Sequence, residues 1–232
     1  METTYFRFNE VKIGTGEYER YLAARYQVFC DELHRVDAGG LRSRSGDLIE
    51  TDRYDAFSRH FMAIHKDTGA LAAFGRVILP SEIGLNVTPR YIIDRPLPFA
   101  DATEGRIGEI SRMAIAPNYR RRHEDQGKPV HGDPASEMSH KPDGARRHQP
   151  ELVLGMYREM YRLCDQVGIA YYMAAMDNRF SRLLNTLGFP FVPVGPINEG
   201  VTPLRRVYLM SIREMECRLG ERHPDTLRFM QA

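Results

Sequence analysis

At 232 residues and 42% hydrophobic content, the chain is long enough to bury a core as one large domain or two small ones. A net charge of +1, from 32 basic and 31 acidic residues, argues against a general nucleic-acid binder. No run of roughly 18 apolar residues occurs, so no transmembrane helix is expected, and the N-terminus lacks the basic start and long apolar core of a signal peptide.

In chain order, residues 3–13 alternate as a first strand. Residues 17–33 read as a helix, with Leu22, Arg25, Phe29 and Leu33 at helical spacing. That stripe is apolar except for Arg25. Residues 36–50, rich in Gly, Ser, Arg and Asp, read as a loop. Residues 60–65 and 70–79 form two strands of a hairpin around Asp67-Thr68-Gly69. Residues 80–99 carry four prolines and read as irregular. Residues 106–116 then form a strand that begins polar, at Glu109, Ser111 and Arg112, and continues apolar through Met113–Ala116.

The segment 117–150 is polar and proline-rich, so it is expected to be a mobile insert. Residues 151–167 read as a helix with Leu152, Met156, Met160 and Leu163 on one face, closed by Gly168. Residues 169–176 are apolar on both faces, as expected of a central strand. A helix capped by Asp177 or Asn178 runs through Leu187. Late strands are expected over 189–197 and 204–212, and a helical tail over 213–231. The order implies an α/β or α+β architecture, one mixed sheet with helices on both faces.

Charges inside apolar elements are costly unless paired. Arg25, Arg76 and Arg112 are therefore expected to meet Asp52, Asp55 and Glu109 in one cluster. A structural ion-pair network would look the same for any single pair, but six such residues in separate segments favour a site. His60 and His65 flank a strand and are expected on the surface. Histidine and cysteine spacing gives no metal pattern. Cys30, Cys164 and Cys217 are odd in number and fit a reducing cytoplasm. Arg120, Arg121 and Arg122 are either a solvated face or an anion contact. Neither a P-loop nor a dinucleotide glycine fingerprint is present.

Four motifs carry a family resemblance: Arg25-Tyr26-Gln27-Val28-Phe29, the run Glu50 to Asp55, Gly75-Arg76-Val77-Ile78-Leu79-Pro80, and Glu109-Ile110-Ser111-Arg112. In this order they resemble the acyl-carrier-protein-dependent branch of the GNAT acyltransferases, which holds the autoinducer (N-acyl-homoserine-lactone) synthases and N-acyl amino acid synthases. The segment Leu183 to Phe189, followed by Val194-Gly195-Pro196, most resembles the acyltransferases associated with PEP-CTERM/exosortase systems. The resemblance covers residues 5–212. It implies a GNAT-like domain over 1–212, with 117–150 inserted and 213–232 appended, and a central twisted sheet whose two middle strands splay apart.

The resemblance also implies a chemistry. The thioester arm of a carrier protein would enter at the splay and pair with Met113, Ala114 and Ile115. A backbone N–H there would polarise the thioester carbonyl. Glu109 is the candidate base, Ser111 would orient the acceptor or a water, and Arg112 would hold the acceptor's carboxylate or the pantetheine end. Arg25, Phe29, Asp52, Asp55 and Arg76 are candidates for acceptor binding. Tyr171, Met173 and Met176 are candidates for the acyl tunnel, although a core strand has the same composition. Arg120, Arg121 and Arg122 would dock an acidic carrier protein.

Acyl-carrier-protein or acyl-CoA donors are both compatible, with no permanently bound cofactor and no metal. Autoinducer synthases usually carry a tryptophan after the first-helix motif. This chain has no tryptophan, and His34-Arg35 occupies that region. The departure counts against S-adenosylmethionine and favours an amino acid or similar small amine as acceptor. Competing readings are a true autoinducer synthase, a CoA-dependent N-acetyltransferase, and a non-catalytic acyl-binding regulator on the same scaffold.

Overall fold

A computed structural model describes residues 3–36, 39–120, 149–201 and 203–232. Among these residues, seven strands form one sheet in the order β1-β2-β3-β4-β5-β7-β6. They are β1 (Phe6–Val11), β2 (Ser58–His65), β3 (Leu71–Ile78), β4 (Ile107–Ile115), β5 (Tyr171–Met176), β6 (Val192–Pro193) and β7 (Arg206–Ser211). All neighbours are antiparallel except β4 and β5.

Period-2 alternation assigns each strand face to a helix layer. Phe61 and Ala63 of β2 join Phe6 and Phe8 in a core cluster with Leu152, Met156 and Met160 of helix α2 (Gln149–Val167). Met62 and Ile64 point the other way, to Tyr18, Tyr21 and Leu22 of helix α1 (Gly16–Tyr26). Thr15 caps α1 by accepting the Tyr18 N–H at 3.2 Å. Helix α3 (Asn178–Thr186) is capped by Asp177, which accepts from the backbone of Arg179 and Phe180 at 2.9 Å. A third cluster, containing Val87, Ile107, Tyr171, Met173 and Leu209, is covered by the connection before β4.

Three expectations are corrected. The first helix does not run uniformly: α1 passes into a π-helical turn at Gln27–Glu32. The late strand expected over 189–197 shrinks to two residues, because Pro190, Pro193 and Pro196 withdraw backbone donors. The C-terminal tail is two helices, α4 (Ile212–Arg222) and α5 (Pro224–Gln231), broken where Pro224 cannot continue the first. Met215, Leu219 and Met230 of that tail belong to the same core cluster as α2.

The feature that builds the site is where β4 and β5 part. They pair only at Ile107–Tyr171, Gly108–Tyr172 and Glu109–Met173. Beyond Glu109, β4 stays paired to β3 and β5 to β7, but not to each other. The expected splay is therefore present, with Glu109 at its apex.

Helix α2 can lie this close to the sheet because Gly155 faces Phe8. A Cβ added there would fall 2.1 Å from the Phe8 ring. Gly→Ala in an exposed helix gains about 1 kcal/mol. Here Gly155→Ala is expected instead to lower stability by about 1–3 kcal/mol through overpacking, measured by urea denaturation.

Candidate active site

The splay opens into a cleft of about 1000 Å³. Its walls are Glu109–Ile115 of β4 and Ala174–Met176 of β5, with Phe29 above and Val153, Tyr157 and Phe180 below. Asn86, Val87 and several arginines complete it.

Glu109 is only 1% exposed yet lines this cleft. Its Oε2 accepts the Val87 backbone N–H at 2.9 Å, and its Oε1 accepts Asn86 Nδ2 at 3.3 Å. Burial raises its pKa above the ordinary value, and these two hydrogen bonds oppose the rise. The result is a carboxylate held in place with enhanced proton affinity.

Behind the β4 wall lies a buried ion network. Arg25, wholly buried on α1, donates Nε to Glu50 Oε2 and Nη1 to Asp55 Oδ1, both at 2.6 Å. Arg76, wholly buried on β3, grips Asp52 through Nη1 at 2.6 Å and Nη2 at 2.7 Å, reaches Asp55, and donates Nε to Ser111 Oγ at 2.8 Å. Arg112 donates Nη2 to Glu50 Oε1 at 3.0 Å and to Asp52 Oδ2 at 3.2 Å, and stacks over the Phe29 ring. Burial favours the neutral form of Asp55, but the Arg25 and Arg76 guanidiniums overcome it and hold the carboxyl well below its usual range. Asp52 is likewise lowered: burial raises it, and Arg76 outweighs burial.

The backbone explains how two adjacent β4 residues reach one network. Consecutive strand residues normally point to opposite faces. Here Phe74 pairs with Ala114 and Arg76 with Ser111, so two β4 residues face Gly75 alone. This bulge carries Arg112 at φ 51°, a left-handed conformation uncommon for arginine. It turns Arg112 onto the face that Ser111 and Arg76 already share.

The expected cluster is thus present with one exchange: Glu50, not Glu109, is the third carboxylate. Glu109 lies two residues from Ser111 along β4 and is held by the Val87 backbone N–H and the Asn86 side chain instead. His60 is also corrected. It is 1% exposed, opposite Arg76 across the sheet, with Nδ1 3.3 Å from the Tyr21 hydroxyl and Nε2 3.1 Å from the Asp55 carbonyl. A carbonyl only accepts, so Nε2 carries the proton. Burial pushes the His60 pKa down to about 4, so the ring is neutral near pH 7.

Phe29, Glu109, Ser111, Arg112, Met113, Ala114, Ile115 and Arg120 line the cleft. Arg25, Asp52, Asp55 and Arg76 do not; they support its wall from behind. Tyr171 and Met173 point into the third core cluster rather than the cleft, because alternation turns them away from Ala174 and Met176. Arg120 donates to the Ile115 carbonyl and to Glu32. Arg121 and Arg122 lie outside the described residues. Sequence reasoning missed Asn86, Val87, Arg35, Arg90 and Arg205. They sit in irregular connections, where no periodicity marks an inward side chain. Among the described residues, no His, Cys, Asp and Glu cluster could hold a metal ion.

Removing one partner of a buried pair strands the other. Glu50→Gln is expected to cost about 3–5 kcal/mol in denaturant unfolding. Acid dependence follows from the lowered groups. His60 binds a proton more readily when unfolded, so its contribution is lost as pH falls from about 6.5 toward 4. Asp52 and Asp55 contribute stability above about pH 4 that is lost below it. Asp55→Asn should flatten only the lower part of the stability–pH curve.

Comparisons with known proteins agree with this geometry. A family model described as an acetyltransferase (GNAT) domain matches residues 24–127. No curated protein matches the sequence. Among solved structures, BjaI, a CoA-dependent acyl-homoserine lactone synthase solved with MTA, superposes with a TM-score of 0.58 at 17% identity, over 97% of this chain and 88% of that one. TofI, in a ternary complex with an inhibitor and MTA, gives 0.57 at 14% identity over 92% and 97%. FeeM, an N-acyl amino acid synthase from uncultured soil microbes, gives 0.54 at 14% identity over 93% and 96%. The chain thus has a mixed α/β GNAT fold, with residues 24–127 matching the GNAT domain model.

Proposed function

We propose that the protein transfers a fatty acyl group from an acyl-carrier-protein thioester to the amine of an amino acid or similar small amine, giving an N-acyl amino acid. The observation that carries this reading is Glu109: a buried carboxylate of raised proton affinity at the apex of a splayed β4–β5 pair. Acyl transfer needs a neutral amine, because an ammonium has no lone pair. Glu109 takes that proton, directly or through one water. The unpaired β4 edge at Met113–Ile115 receives the pantetheine amides as an added strand. A thiolate, with a conjugate-acid pKa of about 8.5, leaves with little acid assistance.

Cleft dimensions favour a long acyl group. A volume of about 1000 Å³ stands at the top of the ~300–1,000 Å³ range of small-molecule pockets. Val153, Tyr157, Ala174, Met176 and Phe180 give it an apolar floor. Arg25 and Arg76 are wholly buried in the ion network and do not line the cleft, so neither reaches a substrate. Arg112, with its side chain 10% accessible, is left as the acceptor-carboxylate contact.

An anionic donor fits the cleft's outer residues. Arg35, Arg90 and Arg205 line it without an ion pair to any described residue. Burial, then the nearby Arg205, lowers the Arg35 pKa. They add to the carrier-docking role assigned to Arg120, Arg121 and Arg122. A carrier protein presents one phosphate and an acidic surface; CoA presents a nucleotide diphosphate. BjaI is a CoA-dependent enzyme, which keeps acyl-CoA as the second reading of the donor.

Two measurements test this. Glu109→Gln should lower kcat by about 10²–10⁴-fold while leaving the folded structure intact; full activity would remove the base. In the wild type, kcat/KM should fall on acidification above the ordinary carboxylate range, since burial raises the Glu109 pKa and only the ionised form accepts a proton. Donor identity follows from comparing carrier-protein, CoA and short pantetheine thioesters. Charge reversal at Arg121 and Arg122 should weaken use of the carrier protein by about tenfold or more and spare the short thioester. Equal losses would remove docking, and product mass reports the acceptor.

A further inference from the structure

Glu109 is gripped by two neighbouring groups of the irregular connection between β3 and β4. Val87 gives a backbone N–H and Asn86 a side-chain N–H. An ionised carboxylate only accepts hydrogen bonds, so the Asn86 amide must turn its NH₂ toward Glu109. Its carbonyl oxygen is then directed elsewhere. Asn86 is 7% exposed and lines the cleft. Its Oδ1 is buried and has no hydrogen-bond partner among the described residues. Buried polar atoms are rarely left unmatched, and those that are call for a reason.

We propose that Asn86 Oδ1 accepts one N–H of the attacking amine, beside the proton that Glu109 removes, and so selects primary amines. The inference rests on the acyl-transfer reading of this cleft. Nδ2 and Oδ1 belong to one amide, so Oδ1 is held near the carboxylate that Nδ2 contacts at 3.3 Å. The diverging N–H bonds of a single nitrogen can reach both.

The steps balance as follows. The bound ammonium gives one proton to Glu109 and gains a lone pair. Its remaining N–H bonds point at Oδ1 and the carboxyl group, which aims the lone pair at the thioester carbon. The C–N bond forms, and the carbonyl electrons move to oxygen. When they return, the C–S bond breaks and its electron pair leaves on sulfur. Sulfur takes the second nitrogen proton. Amide and thiol are released, and Glu109 gives its proton to solvent.

The two ends of the amide have separable jobs. Nδ2 stabilises ionised Glu109, and Oδ1 reads the acceptor. A neutral N-methyl amine offers only one N–H and presents a methyl group to Oδ1. The test uses the full chain, a carrier-protein or short thioester donor, and paired primary and N-methyl amino acid acceptors. Wild type should prefer the primary amine by about 10–100-fold in kcat/KM. Asn86→Ala should bring that preference to within a few-fold and move the acid limb of the pH profile upward. Asn86→Asp keeps the shape and an oxygen toward the amine but adds a like charge beside Glu109. It should keep the primary-amine preference while still raising the acid limb, and it remains informative if the alanine variant fails to fold. An Asn86→Ala enzyme that still discriminates, or an Asn86→Asp enzyme with an unmoved acid limb, overturns the proposal and leaves acyl transfer standing. A folded wild type that releases no thiol with any amine overturns both.

Discussion

The interaction on which the rest depends is the buried meeting of Arg25, Arg76 and Arg112 with Glu50, Asp52 and Asp55. Four segments supply these groups: α1, the 50–55 loop, β3 and β4. Taking ions from water is expensive, and the cost is offset only where geometry is close and the remaining donors are satisfied. Arg76 meets that requirement with a two-pronged grip on Asp52, a contact to Asp55 and a bond to Ser111. Losing any member strands a charge. The network therefore fixes α1 against the sheet more firmly than apolar contact alone, and with it the position of Phe29 over the cleft.

This rigidity shapes the β4 wall. The bulge opposite Gly75 and the left-handed Arg112 are local costs, each met by the ion contacts that Arg112 gains. Gly75 suits the place, because a Cβ there would already sit 3.0 Å from Met160 and 3.4 Å from Met113. Beyond the bulge, Met113–Ile115 run along the cleft with no neighbour on the β5 side. One buried network thus produces both a fixed polar wall and an unpaired strand edge.

Much of this was legible in the sequence. The hairpin of β2 and β3 announced itself through alternation and Gly69, whose φ of 64° suits glycine. Buried arginines were legible because Arg25 and Arg76 interrupt apolar patterns, and charge in such places demands partners. The choice of partner was not legible. Glu50 and Glu109 are both acidic residues at the ends of short motifs, and only the register of β4 against β3 separates them. His60 reads as exposed because it flanks a strand, while its cover, Tyr18 and Tyr21, comes from a helix far back in the chain. Asn86 was invisible because an irregular, proline-rich connection has no period from which to infer an inward face.

The exclusion of Glu109 from the ion network carries the chemistry. Had it been the third carboxylate, two arginines would have stabilised its anion, as they do for Asp55, and a base so depressed binds protons poorly near neutrality. Placed two residues from Ser111 along β4, it keeps the desolvation of the core and loses most of the compensating charge. Neutral donors from Val87 and Asn86 hold it without quenching it, since an N–H bond to a carboxylate favours the anion less than a guanidinium does. Six ionic groups paired with one another thereby support a seventh that stands outside their network. The division follows from where β4 leaves β5: before that point the strand is buried on both sides, and after it one side faces the cleft. Glu109 stands at the boundary, dry enough to hold a proton and close enough to the cleft to exchange one.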